Sequence, residues 1–206
     1  MVENITNIGL GIIGLYTSNY LSQFHVREMA KLLKRSHVSL LPHLRKLEKN
    51  KILQVRRSGK NKIYTLNLEN NQGKEYLSIA EKHVSLKLIT KEFFIKKIHD
   101  EIVNINPNGC LIIFGSYASS TQIKESDIDL FFLGIISEKQ ERVIKELGKI
   151  YDKKIHFTSM SFEEFKDALQ KGIVLLKEII KNHIILYNHD FFINELWRYY
   201  HERKEG

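Results

Sequence analysis

Hydrophobic residues recur at helical spacing early in the chain. Two stripes repeat every three or four positions: Val26, Met29, Ala30 and Leu33, then Val38, Leu41, Leu44 and Leu47. Ser36 stands between the stripes and is typical of a residue that caps a helix N-terminus. The pattern therefore predicts two short helices joined by a tight turn, with an opening helix within residues 5–16.

Apolar and polar residues alternate directly after the second stripe. ILQV (52–55) and KIYTLNL (62–68) have the alternation of strands, and the basic, turn-rich RRSGKN (56–61) separates them. This part of the chain is therefore predicted to form a hairpin with a positively charged tip.

The remaining pattern alternates helices and strands. Residues 69–109 predict one long or two consecutive amphipathic helices, ended by Asn106-Pro107 and a turn at Asn108-Gly109. A helix over 137–150, a strand over 153–161, further helices and an edge strand over 183–188 follow. The fold class predicted is α+β, with a small mixed sheet flanked by helices in the later part.

Charge is unevenly distributed along the 206 residues. Residues 1–70 hold 12 Lys and Arg against 4 Asp and Glu, while residues 71–206 hold 20 of each, so the whole net charge of +8 lies in the first third. A local basic excess indicates a polyanionic partner. The single Cys110 excludes an intramolecular disulfide, and no apolar run reaches the length of a membrane span. We expect a cytoplasmic protein without a membrane partner.

Two aspartates open an otherwise apolar segment. CLIIF (110–114) predicts a buried strand that ends at Gly115-Ser116, and DIDLFFL (127–133) predicts a second strand. Residues i and i+2 of a strand share a face, so Asp127 and Asp129 are expected to point the same way. Paired carboxylates repel unless a cation lies between them, and Mg²⁺ is held by one or two carboxylates together with substrate phosphates.

This Gly-Ser and Asp-x-Asp arrangement closely resembles the signature of the polymerase-β-type nucleotidyltransferases, in particular the minimal nucleotidyltransferases. The resemblance covers about residues 90–190. It implies that Gly115 and Ser116 bind a nucleoside triphosphate. It also implies that Asp127 and Asp129 are catalytic and hold Mg²⁺ or Mn²⁺ for attack on the α-phosphate.

The sequence departs from that family at the third carboxylate. His156 stands where a later strand of active members carries an acid. Histidine is a third metal ligand candidate or a general base, and the alternative is a half-buried strand histidine without chemistry. Asp152, Glu163 and Glu164 are nearby acids, but they lie outside the position that the family uses.

The basic first third resembles a winged helix-turn-helix domain over about residues 5–68. The resemblance implies binding to double-stranded DNA as a homodimer, with the second helix in the major groove and the hairpin tip against phosphates. The candidate DNA contacts are Ser39, His43, Arg45, Lys46, Arg56, Arg57, Lys60 and Lys62. Pro42 is expected to kink the second helix.

Three functions follow from these resemblances. The first is a DNA-binding transcriptional regulator that carries a nucleotidyltransferase-like domain, which binds nucleotide and metal and transfers a nucleotidyl group to a hydroxyl. Its predicted parts are the DNA-binding domain 1–70, a helical connector 71–89 and the nucleotidyltransferase-like domain 90–206. The second is a regulator whose inactive nucleotidyltransferase fold serves dimerisation. The third is an antitoxin-type adenylyltransferase acting on a partner toxin of the HEPN type.

Overall fold

The computed structural model describes residues 6–59, 61–123 and 125–205, which form ten helices and seven strands. The chain divides into two compact units, Met1–Ala80 with Leu196–Gly206, and Glu81–Glu195. The domain division 1–70, 71–89 and 90–206 stays a prediction. Within the described part of the chain, no helix combines the length and apolar character needed to cross a membrane.

The first unit opens with three helices and three strands. In chain order these are α1 (Asn7–Gly14), β1 (Gln23–His25), α2 (Val26–Leu32), α3 (His37–Lys49), β2 (Leu53–Ser58) and β3 (Asn61–Leu66). Ser36 caps α3 as predicted, because its Oγ accepts a hydrogen bond from the Ser39 backbone N–H at 3.2 Å. Helix α3 runs through Pro42 as a single helix.

The three strands of this unit form an antiparallel sheet in the order β1-β3-β2. Helix α3 contacts α1, α2 and β2, and it buries Leu40, Leu44 and Leu47. The Tyr16 hydroxyl donates a hydrogen bond to the Tyr64 carbonyl at 3.0 Å, which joins the segment after α1 to the central strand. The core-facing side of α3 thus includes Leu44 and Leu47 of the predicted stripe, whereas Leu40 replaces the predicted Val38, which is exposed, and Leu41 is half-buried.

Two long helices lead into the second unit and out of it. The remaining elements are α4 (Asn71–Lys91), α5 (Phe93–Ile105), β4 (Asn108–Phe114), α6 (Gly115–Ala118), β5 (Ile128–Ile135), α7 (Glu138–Ile150), β6 (Ile155–Met160), α8 (Phe162–Lys171), α9 (Val174–Lys181), β7 (His183–Tyr187) and α10 (His189–Glu205). Asn106 ends α5 in the left-handed conformation with φ 47°, a common helix stop for asparagine.

The sheet of the second unit is mixed, with the order β6-β5-β4-β7. Strand β4 pairs antiparallel with both β5 and β7, whereas β5 and β6 are parallel. The predicted small mixed sheet flanked by helices is therefore confirmed, and β7 lies at its edge. This topology places the C-terminal end of β4 beside the N-terminal ends of β5 and β6.

Both faces of this sheet are buried. On one face, Ile113, Leu130 and Phe132 belong to a core cluster that includes Ile98 of α5 and Ile144 of α7. On the other face, the Phe131 ring lies 6.2 Å from that of Phe165 in α8, and Phe165 lies 5.8 Å from Phe192 in α10. Burial on two sides explains the nearly continuous apolar character of β4 and β5. The same packing holds in place the end of β4, before Gly115, and the start of β5, next to Asp127 and Asp129.

Candidate functional site

Gly115 and Asp129 are packed directly against each other. Phe114 is paired with Asp129 across β4 and β5, and Gly115 turns out of β4 with φ +66°. A Cβ atom at Gly115 would overlap Asp129 Oδ2. Glycine is therefore required twice here, for the left-handed backbone and for the close approach to the carboxylate.

The segment that follows Gly115 is fixed by its own hydrogen bonds. Ser119 Oγ donates to the carbonyl of Gly115 at 3.0 Å and lies 2.9 Å from Thr121 Oγ1. The Thr121 backbone N–H donates to the carbonyl of Ser116 at 3.0 Å. Ser116 itself is half-buried in the first turn of α6. Sequence reasoning missed Ser119, because its role depends on the turn that it closes.

Asp127 lies one residue before β5 and contacts two basic side chains near the start of β6, the strand next to β5. Its Oδ2 is 3.1 Å from Lys154 Nζ and 3.1 Å from His156 Nε2. The parallel register pairs His156 with Asp129, so His156 does stand next to the aspartate pair. Sequence reasoning missed Lys154, because its approach to Asp127 depends on the parallel register of β5 and β6, which no local pattern gives.

The surroundings move the pKa values of the two aspartates in opposite directions. The hydrogen bond and charge of Lys154, followed by those of His156, lower the pKa of Asp127 despite slight desolvation. Burial raises the pKa of Asp129. Asp127 and Glu178 add to that rise, whereas His156 and Lys154 oppose it. Asp129 is thus the carboxylate of the pair whose ionised form is disfavoured by burial.

The donor set fits a divalent cation that is completed by substrate oxygens. Asp127 and Asp129 offer hard carboxylate oxygens, and a cation beside them would oppose the burial that raises the pKa of Asp129. Across residues 6–59, 61–123 and 125–205, no cluster of three or more His, Cys, Asp or Glu residues could hold a metal alone. The nearby Glu164 is committed to capping α8, since its Oε2 accepts from the Ser161 N–H at 2.8 Å.

The site lies in a region that is similar to a known family. Residues 95–187 match the model of the nucleotidyltransferase domain family. The matched region is a little under half of the chain, and it contains the Gly115 turn, both aspartates and His156. Its bounds lie within the region where the sequence resembles the minimal nucleotidyltransferases.

One curated protein similar to this chain comes from Methanocaldococcus jannaschii and carries the name "Putative protein adenylyltransferase MJ1547". It is 31% identical over 85 residues, which are 41% of this chain and 60% of that protein. The chain thus matches less than two thirds of the length of this relative.

Two solved structures resemble the chain more distantly. One is described as a toxin-antitoxin with AMP-PNP and the other as a mutant of the toxin-antitoxin MntA-HpeT. They are 20% and 18% identical to this chain, and each alignment covers 54% of this chain and 90% of the solved chain. Both have a TM-score of 0.37.

The candidate DNA contacts on α3 are partly engaged within the first unit. Ser39 Oγ donates to the Ser36 carbonyl at 2.7 Å, and His43 Nδ1 lies 2.9 Å from Thr6 Oγ1. Arg45 is exposed, and Lys46 is half-buried. Of the predicted contacts on this helix, Arg45 is thus the one with an exposed side chain.

The hairpin between β2 and β3 carries the other candidates. Arg57 is exposed, and Arg56 is exposed with its Nη2 donating to Gln23 Oε1 at 2.8 Å. Lys62 Nζ lies 3.3 Å from Glu48 Oε2. Lys60, also a predicted contact, lies outside the described residues. Arg57 and Lys62 are therefore directly opposite each other in the hairpin, whereas Arg56 is paired with Ile63 and points to the other face of the sheet.

Proposed function

We propose that the nucleotidyltransferase domain transfers a nucleotidyl group from a nucleoside triphosphate to a hydroxyl group. The observation that carries this proposal is the contact between the Gly115 turn and Asp129 within a domain that matches the nucleotidyltransferase family. It brings a glycine turn suited to a phosphate chain against a carboxylate suited to a cation. A purely structural turn would not need a charged side chain at that position.

Each residue has a distinct part in the proposed reaction. Gly115 and Ser116 bind the triphosphate through backbone N–H groups and the serine hydroxyl. Asp127 and Asp129 hold Mg²⁺ or Mn²⁺, which when bound supplies charge neutralisation at the phosphates. The acceptor oxygen bonds to the α-phosphorus, the bond from this phosphorus to the bridging oxygen breaks, and pyrophosphate leaves with the electron pair. The hydroxyl proton passes to water.

A thermal-shift series with the full chain tests the shared premise of a working nucleotide pocket. ATP, GTP, CTP and UTP are each added with Mg²⁺ or Mn²⁺. At least one nucleotide should raise the melting temperature, because a ligand that binds only the folded state stabilises it. The rise should disappear in Asp129→Asn. No shift with any nucleotide and either metal argues against the proposal and favours an inactive fold used for dimerisation.

We also propose that the first unit is a winged helix-turn-helix domain that binds double-stranded DNA as a homodimer and makes the chain a transcriptional regulator. The order of α1, β1, α2, α3, β2 and β3 with a three-stranded antiparallel sheet supports this proposal, as does the basic hairpin. Gel shifts with genomic fragments over a salt series test it. Arg56→Gln with Arg57→Gln should lower the salt slope by about two, whereas Lys51→Gln before β2 should not.

The acceptor hydroxyl of the proposed reaction could belong to a small molecule or to a protein, and we propose a protein. The relative at 31% identity is named as a protein adenylyltransferase, which favours a protein over a small molecule. A partner toxin of the HEPN type is one such acceptor, and Mg²⁺-dependent labelling of a co-expressed partner by α-labelled ATP tests this candidate. In this case ATP should be the preferred nucleotide in the thermal-shift series.

A further inference from the structure

A cleft lies beside Asp127, on the side away from Gly115. It has a volume of about 830 Å³. Its walls come from the end of α7, the loop 151–154 and the start of β6, and Asp127 forms part of its rim. These groups lie at the same end of three neighbouring strands. Gly115 follows β4, the two aspartates lie at the start of β5, and Lys154 lies just before β6, next to the cleft.

Four lysines line this cleft: Lys145, Lys149, Lys153 and Lys154. The last turns of α7 supply the first two, which are four positions apart and so share one helix face. The loop supplies the others, and Gly148 permits its close approach. A Cβ at Gly148 would lie 2.5 Å from the Lys153 carbonyl oxygen and 3.1 Å from Ile155 Cγ1. The Lys153 N–H also donates to the Gly148 carbonyl at 2.8 Å. The convergence of the lysines is therefore fixed by the backbone.

The lining is mixed rather than uniformly basic. Glu125, Asp127 and Asp152 also line the cleft, and Tyr151 and Ile155 add apolar surface. The evenly spaced phosphates of a nucleic acid would meet these three carboxylates. A peptide with acidic side chains at a few positions and apolar ones between them fits such walls better.

We propose that this cleft binds an acidic segment of a protein acceptor and presents a nearby hydroxyl to the α-phosphate. This inference rests on the proposed nucleotidyl transfer. The proposed nucleotide site is at the Gly115 turn after β4, whereas the cleft lies beside β6 on the other side of β5. We place the acceptor on the cleft side because this side is left open when the triphosphate occupies the Gly115 turn. The peptide oxygen forms the bond to the α-phosphorus, pyrophosphate leaves with the electron pair of the broken bond, and the hydroxyl proton passes to water.

Lys154 links the cleft to the aspartates. Its Nζ is 3.1 Å from Asp127 Oδ2, and 67% of its side chain is exposed. If Asp127 held a divalent cation, that cation would supply the charge compensation that Lys154 provides in this structure. The exposed Lys154 would then be available to pair with a carboxylate of the acceptor, which would couple occupation of the aspartates to acceptor binding.

Fluorescence anisotropy with the full chain tests the binding step without nucleotide or metal. The probes are three labelled 12-residue peptides with one Ser-Thr-Tyr centre, flanked by Glu, Gln or Lys. The Glu peptide should bind about tenfold more tightly than the Gln peptide at low salt. Lys149→Glu with Lys153→Glu should reverse this preference toward the Lys peptide. The matched control, Lys87→Glu with Lys139→Glu, makes the same charge change outside the cleft and should keep the preference.

Two further arms separate the possible failures. Equal binding of the Glu and Gln peptides, or a preference that survives the charge reversal, overturns the inference. A single-stranded oligonucleotide of the same charge that binds more tightly than the Glu peptide, and loses this binding on charge reversal, also overturns it in favour of nucleic acid. A preserved Glu preference without label transfer from α-labelled ATP supports the cleft and contradicts the proposed transfer. Transfer of label to all three peptides without any charge preference supports the proposed transfer and contradicts the inference about the cleft.

Discussion

His156 Nε2 lies 3.1 Å from Asp127 Oδ2, the same oxygen that accepts a hydrogen bond from Lys154 Nζ. Two basic side chains thus converge on one carboxylate oxygen at the start of β5. The neighbouring Asp129 is compensated less, and its pKa is raised by burial and by Asp127. The pair is therefore asymmetric, because Lys154 and His156 favour the ionised form of Asp127 whereas burial disfavours the ionised form of Asp129.

Replacement of His156 by aspartate should strengthen Mg²⁺ binding by about tenfold, or roughly 1.4 kcal/mol. The new carboxylate would lie beside Asp129 in the parallel register and offer the oxygen ligand that Mg²⁺ prefers over imidazole. Isothermal titration with Mg²⁺ measures the change. His156→Asn is the matched control, since it removes the imidazole without adding charge. Equal Mg²⁺ affinity in both variants would show that position 156 is not part of the metal site.

Gly115→Ala should destabilise the protein by about 1–3 kcal/mol and abolish nucleotide binding. The alanine Cβ would overlap Asp129 Oδ2 and would force an L-residue into φ +66°. Urea unfolding measures the first effect, and the nucleotide-dependent melting shift measures the second.

Gly14→Ala, near the end of α1, makes the same chemical change where no atom lies within 4 Å. Its effect on stability should stay below about 1 kcal/mol in either direction. If the two variants had the same unfolding free energy, the close approach at Gly115 would not be a structural requirement.

Glu81→Gln should destabilise the protein by about 1–3 kcal/mol near neutral pH, because it removes the charge-assisted hydrogen bond that favours protonated His183 in the core. His183 Nε2 lies 3.2 Å from Glu81 Oε1, and the two side chains are only 2% and 3% exposed. Burial lowers the pKa of His183, but Glu81 and the carbonyls of Ile180 and Ile179 outweigh this and leave the pKa raised.

The pH dependence of this pair has a definite sign. Since the folded pKa of His183 is raised, its stabilisation is fully present below the ordinary histidine value of about 6.5 and is lost as pH rises through the folded pKa. Urea unfolding from pH 6 to 9 should show this fall in the parent protein and a flatter profile in Glu81→Gln. Parallel profiles would contradict a charged pair.

His189→Phe should remove part of the acid sensitivity of the protein. Burial, followed by the charge of Lys82, lowers the pKa of His189 to about 4. Its buried Nε2 has no hydrogen-bond partner within the described residues. A depressed histidine pKa costs stability as pH falls from about 6.5 toward 4, the opposite direction to His183. Unfolding free energies between pH 4 and 7 should therefore fall less steeply in the variant, and an unchanged slope would count against a neutral buried His189.

Local patterns predicted much of the fold, whereas the roles of Asp127 and Asp129 stay a prediction. The cap at Ser36, the strand that ends at Gly115 and the edge strand β7 all depend on short-range signals, such as turn residues and apolar runs. Strand β1 was not predicted, since its three residues are too few to show an alternation.

Contacts that depend on strand register could not be predicted. The sequence places Asp127 inside a strand, whereas β5 begins at Ile128. The ion pair between Lys154 and Asp127 exists because β6 runs parallel to β5 in one particular register, which no local pattern encodes. The lysine cleft depends in the same way on how closely the loop 151–154 approaches Gly148.

Transfer of label from α-phosphate-labelled nucleoside triphosphate tests the central claim most directly. The full chain is incubated with each labelled nucleotide, Mg²⁺ or Mn²⁺, and hydroxyl acceptors that include the Glu-flanked peptide. We predict label on an acceptor with the parent protein, and at least a hundredfold less with Asp127→Asn or Asp129→Asn, both checked for folding by circular dichroism. Absence of label with every nucleotide and both metals, or equal label with the two variants, would contradict nucleotidyl transfer by these aspartates.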